Sequence, residues 1–268
     1  MSDILRRSLA PITEEAWGVI DEEATRVLKN LLSARSLVDF DGPHGWDLAA
    51  INLGRLDIHA NEPVDGVQWG QRQVLALLEL RTLFALGQFE LDNITRNSKT
   101  PDLEALDEAA RKVALFEDDA LYNGFAEGGV QGILEASPHD AVALPKEVEG
   151  YTKAVGAAVK TLREAGIEGP YALVLPTDDY HTLMTGQSQG GYPTHRAVRD
   201  IIEGDIHWSE ALKNGVVLST RGGDYEMTVG QDLAIGYSHQ DGQSVHLYIT
   251  ESFTFRAVEP AAAVVLKA

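Results

Sequence analysis

The chain has 268 residues, 44% of them hydrophobic and 24% charged, with a formal net charge of -19 from 41 acidic against 22 basic side chains. This length and apolar content suit one large or two modest domains with a packed core and exclude global disorder, while the charge repels phosphate backbones and argues against sequence-independent nucleic-acid binding. Cysteine is absent, which removes disulfides, thiolate zinc sites and cysteine nucleophiles together.

The N-terminal arm DILRRSLAP has no core pattern of its own and no apolar run of signal-peptide length, so a cytoplasmic protein is expected. A helix is predicted over residues 14–34. Thr13 is its N-cap, Glu14 and Glu15 suit the positive end of the dipole, and Trp17, Ile20, Ala24, Val27 and Leu31 share one face. DGPHGWD, residues 41–47, is a turn cluster. Residues 49–69 read as an extended, partly polar segment with too few apolar residues for a core hairpin; such an extension needs a partner surface to stay ordered. The longest helix is predicted over 101–123, with Thr100 as cap, Pro101 in the first helical position, Leu103, Leu106, Ala110, Val113, Phe116 and Ala120 on one face, and Gly124 as stop.

A further helix covers about 146–165 and ends at Gly166. YALVLP, residues 171–176, is a buried strand, DDYHTLM a short helix, and TGQSQGGYP a glycine-rich loop. A helix from Thr194 to Glu203 and a strand at GVVLSTR follow. From Tyr225 to Tyr237 and from Val245 to Ala257 the odd positions are apolar and the even ones small or polar, the period of two long strands. A three-residue loop Gln240–Asp241–Gly242 sets a register in which Tyr237 faces Val245, Leu233 faces Ile249 and Glu226 faces Arg256. The two polar defects on the apolar face, Gln231 and Glu251, then lie opposite each other. A two-residue loop would set apolar against polar residues and is rejected on that ground. No phosphate-binding glycine motif is present, so this stretch is read as a structural plate.

RSLAP near the start, GPHGWD with Trp46, LELRTLFAL leading to FELDN, KVALFEDDALYNG, IEGPYALVL, and above all RGGDYEMTVGQDLAIGY with ITESFTF resemble the encapsulins, the linocin-type shell proteins of bacterial nanocompartments. The match runs in order along nearly the whole chain. It implies an α+β fold of the tailed-phage major-capsid (Hong Kong 97) type. Residues 1–48, 73–134 and 223–256 would form a peripheral domain, 49–72 an extended loop lying on a neighbouring subunit, and 135–222 with 257–268 an axial domain. The glycine-rich loop, Thr185, Gly186, Gln187, Ser188, Gln189, Gly190 and Gly191, falls where the family places the rim of its fivefold pore.

What the resemblance implies for function is containment without catalysis. Subunits would close into an icosahedral shell, with the smaller class of about sixty copies preferred by chain length. The enclosed enzymes, dye-decolorising peroxidases or ferritin-like proteins, would dock through a C-terminal targeting peptide on the first helix and the peripheral sheet. By position that surface comprises Leu28, Arg35, Asp39, Leu233, Ile235 and Tyr237, with Arg35 as a polar handle for an apolar-anchored peptide. Some members hold a flavin on a tryptophan where this chain has Phe89, so no cofactor is expected here; neither are nucleic-acid or membrane partners.

Three rival readings follow from the residues. Gly186-Gln187-Ser188-Gln189-Gly190 matches the GxSxG elbow of serine hydrolases, and Asp224 or Asp232 with His239 or His246 completes their chain order. That elbow requires a strand directly before the serine and a helix directly after, whereas a short helix is predicted before it. A viral capsid protein of the same fold would need a basic lumen, which the net charge opposes. Metal chemistry has only Glu203 and His207, four residues apart, and no HExxH or ExxH among eight histidines, so no metal site is expected.

Overall fold

The computed structural model describes residues 4–61, 63–187 and 190–267. Helix α1, Glu14–Leu31, starts as the sequence predicts, with the Thr13 hydroxyl accepting the Ala16 N–H. It stops at Leu31 rather than residue 34, because buried Asp118 accepts the N–H groups of Ser33 and Ala34 and turns the chain into a short 3-10 segment, Ala34–Ser36. Strand β1, Asp39–Asp41, follows. Strands β2, Ala50–His59, and β3, Trp69–Ala76, pair antiparallel as an isolated two-stranded arm. Strand β4, Leu78–Gly87, and helix α2, Gln88–Thr95, lead into α3, Glu104–Tyr122. Pro101 therefore lies outside the helix: Asp102 accepts the Glu104 N–H and starts it three residues later.

The next portion holds α4, Ile133–Ala136, β5, Val142–Ala143, α5, Tyr151–Glu164, β6, Tyr171–Leu175, α6, Thr177–Thr185, α7, Thr194–Ile202, β7, Ile206–Trp208, and β8, Gly215–Ser219. Strands β9, Tyr225–Val229, β10, Ala234–Asp241, β11, Ser244–Ala257, and β12, Ala263–Lys267, complete the chain. One sheet has the order β5-β12-β8-β6-β7. The other has the order β1-β9-β11-β10, with β4 on the second edge of β11. Beneath this second sheet, Ile235, Val245, Leu247 and Ile249 pack with Trp17, Ile20, Leu106 and Val113 of α1 and α3. The alternation read in β11 is thus correct for its core face. Its even positions are nevertheless also buried at Thr250, Ser252 and Thr254; Thr250 satisfies its hydroxyl on the Leu80 carbonyl.

The long hairpin departs from the predicted register. Near its base Glu226 does face Arg256, and their side chains are ion-paired at 2.6 Å. Residues 230–233 then leave the ladder, four residues opposite two on β11, so the first strand is two strands, β9 and β10. Tyr237 faces Leu247 instead of Val245, and Ile235 rather than Leu233 faces Ile249. A bulge at Ser238 and a two-residue turn, Gly242–Gln243, close the hairpin, with Asp241 opposite Ser244. Gly242, at φ +47°, supplies the left-handed first position of that turn. The rejected two-residue loop is correct because the bulge absorbs the mismatch that argued against it. Gln231 does not face Glu251; its N–H donates to Ser252 Oγ.

Candidate functional site

Two surfaces stand out by their burial. The first is the arm formed by β2 and β3. Leu56, Ile58, Val64, Val67, Trp69 and Val74 are all exposed on it, Ile58 by 75%. Local contacts hold its shape: His59 stacks on Trp69 at 4.0 Å, and the Trp69 indole donates to the Asn61 carbonyl. A lone two-stranded hairpin buries too little to be stable by itself, so an arm with this much uncovered apolar surface is built for contact.

The second surface lies where α1 meets β10, the outer strand of its sheet. Ile235 is in the core, whereas Leu28, Leu233 and Tyr237 are half-buried and pack on the same cluster. The N-terminal arm docks beside them on its own subunit. The Tyr237 N–H donates to the Leu5 carbonyl and the Tyr248 hydroxyl to the Ile4 carbonyl. Arg7 makes a bidentate pair with Asp21 and stacks over Trp17 at 3.9 Å. Gly236 makes room for this arrangement: a Cβ there would lie 2.2 Å from the Tyr248 ring.

Arg35 is not a free handle. Its Nε and Nη2 donate to both oxygens of Glu117 at 2.6 and 2.7 Å, Nη1 donates to Asp232 at 2.8 Å, and Nη2 also bonds Glu251. Glu117 and Glu251 are completely buried. Burial pushes both carboxyls above their ordinary range, Glu251 well above it, and Arg35 opposes the shift. Glu251 Oε2 is buried without a hydrogen-bond partner. Glu117 was not singled out from the sequence, and Asp232 only as a candidate triad acid; the available signals for the cluster were an acidic EDD run inside the apolar face of α3 and the polar defect at Glu251. Asp39 stands apart, accepting the Gly223 N–H at 2.5 Å.

Of the residues that the resemblance placed at a pore rim, Ser188 and Gln189 lie outside the described residues. Thr185 ends α6, Gly186 accepts the Thr194 N–H, and Gln187 forms a bridge with Pro193. The serine-hydrolase reading loses its context, because helix α6 rather than a strand leads into the loop and α7 begins only at Thr194. Glu203 and His207 do not share a helix: Glu203 is the left-handed residue after α7 and His207 lies in β7.

Residues 1–254 match the model of the family described as "Encapsulating protein for peroxidase", Linocin_M18. The chain belongs to the encapsulin family. The type 1 encapsulin shell protein of Rhodospirillum rubrum is 43% identical to it over all of this chain and 97% of its own length. That of Mycobacterium tuberculosis is 38% identical over 98% of each. These encapsulin relatives are structural shell proteins, not enzymes. Among solved structures, a virus-like particle from Pyrococcus furiosus aligns with a TM-score of 0.65 at 17% identity, covering 95% of this chain and 98% of its own. The capsid of Myoviridae phage XM1 aligns at 0.57 and 13% identity, covering 88% and 91%. This encapsulin therefore has the phage-capsid fold. Among the described residues no helix is long and apolar enough to cross a membrane.

Proposed function

We propose that this encapsulin subunit closes, about sixty copies at a time, into an icosahedral compartment in the cytoplasm that encloses a peroxidase or ferritin-like enzyme. The β2–β3 arm is the observation that supports this reading: six large apolar side chains are exposed along it, and a neighbouring subunit of the shell is proposed to cover them. Residues 1–48, 73–134 and 223–256 are read as the peripheral domain, 49–72 as the extended loop, and 135–222 with 257–268 as the axial domain. The loop from Thr185 to Gly191 is read as the pore rim.

The cargo's targeting peptide is proposed to lie along α1 and β10, with apolar side chains against Leu28, Leu233 and Tyr237 over a floor that includes Ile235. Arg35 supports this surface indirectly, by fixing Asp232, whose carboxylate accepts the Leu233 N–H. Asp39, in β1 across the sheet from β10 and already accepting the Gly223 N–H, is proposed to meet a polar residue of the peptide. Replacement of residues 51–75 by a short Gly-Ser linker tests the assembly reading. Mass photometry should show free subunits or small oligomers; shells of normal mass from that deletion would refute the role of the arm.

A further inference from the structure

We infer that the tip of the β10–β11 hairpin binds one first-row divalent transition-metal ion through His239, Asp241 and His246. The site lies at the end of β10 beyond Tyr237, and the register of the hairpin creates it. Along β10, Ile235 and Tyr237 point their side chains to the helical core side, as their partners Ile249 and Leu247 do. The bulge at Ser238 shifts the ladder by one residue, so His239 faces His246 and Asp241 faces Ser244. Directly opposed residues share a face, and on β11 the faces alternate between buried Val245 and half-buried His246. The bulge therefore moves the odd positions His239 and Asp241 of β10 to the outer face.

The geometry is that of a donor set. One ligand atom from each of the three residues lies within 4.8 Å of the other two. The imidazoles stack at 4.3 Å with an interplanar angle of 3°. His246 Nε2 is 3.0 Å from Asp241 Oδ1, yet it is buried and makes no well-aligned hydrogen bond. Metal bonds of about 2.0–2.2 Å put neighbouring donors about 3 Å apart, so this pair is already at ligand spacing. Ser238 Oγ engages His239 Nδ1 at 3.0 Å, which leaves Nε2 as the ligating nitrogen and fixes the ring as outer-shell partners do. A simple ion pair needs one imidazole beside the carboxylate; two imidazoles and one carboxylate are the donors that zinc, cobalt and nickel take. Asp241 is 66% exposed on its side chain, so further positions on the ion are open to water.

The test uses the untagged, assembled full-length protein titrated with Co²⁺ and followed by visible d–d absorption and calorimetry. One ion per subunit is expected to bind, with affinity falling at least about tenfold in His239→Gln and in His246→Gln and unchanged in the control His181→Gln. In the wild-type shell, Zn²⁺ should slow carbethoxylation of His239 and His246 by diethyl pyrocarbonate several-fold and leave His181 unaffected, a readout that needs no variant. Absence of saturable Co²⁺ binding, or equal binding by both glutamine variants, would overturn the site and reduce it to a stacked pair with an adjacent carboxylate.

Discussion

Replacing Arg35 with methionine removes the only cation bonded to two fully buried carboxyls among the described residues. The substitution keeps much of the side-chain volume but strips Glu117 of a bidentate partner and Glu251 of its one hydrogen bond. Breaking a buried ion pair from one side costs about 3–5 kcal/mol, since the stranded charge stays in low dielectric; Asp232, 40% exposed on its side chain, adds little because solvent screens it. Glu251→Gln should cost less than about 1 kcal/mol, because burial raises this carboxyl's pKa and so disfavours its charged form, and an amide carries no charge. The triple variant Arg35→Met, Glu117→Gln, Glu251→Gln should recover most of the loss. Guanidinium unfolding of equal subunit concentrations, followed by tryptophan fluorescence, measures all three, with concentration fixed because assembly stabilises the folded subunit by mass action. A pH series adds a sign. Glu251 has its carboxyl pKa raised above 4.5 in the folded state, so its contribution is full below pH 4.5 and declines as pH rises toward the folded value. Glutamine does not titrate, so the stability of Glu251→Gln relative to wild type should improve as pH increases above 4.5. An Arg35→Met protein within about 1 kcal/mol of wild type, or a Glu251→Gln protein as damaged as Arg35→Met, would refute this account of the cluster.

Other surfaces give simpler tests. Leu233→Asp should leave shells intact by electron microscopy while lowering co-purified cargo at least about tenfold, the loss expected when an apolar anchor is replaced by a desolvated charge; normal cargo occupancy would remove Leu233 from the docking surface. Gly236→Ala places a Cβ against the Tyr248 ring and should cost about 1–3 kcal/mol. The displaced Tyr248 loses its hold on Ile4, so trypsin should cut at Arg6 and Arg7 faster than in wild type, and an unchanged cleavage rate would show that the arm is held elsewhere.

Much of this chain was legible without coordinates because its signals are local. A threonine cap before two glutamates sets the start of α1, Gly124 and Gly166 follow the ends of α3 and α5, and period-two alternation marks the core face of β11. The Glu226–Arg256 pair near the hairpin base was readable from charge and alternation alone. The ordered motifs carried the family resemblance, and with it the capsid fold.

Three decisions belonged to the tertiary structure. The path of residues 230–233 involves Ser252 and Arg35, distant in sequence: Gln231 bonds Ser252 through both its N–H and its carbonyl, and the Asp232 carboxylate accepts from Arg35. Arg35, Glu117, Asp232 and Glu251 come from four separate segments, and no pairwise spacing in the sequence announces them; burial alone turns an apparent defect in a strand into the centre of an ion cluster. The hairpin tip was hidden for the same reason. Alternation gives the face of a residue only while the ladder is unbroken, and one bulge at Ser238 reverses it, setting His239 opposite His246 instead of Val245.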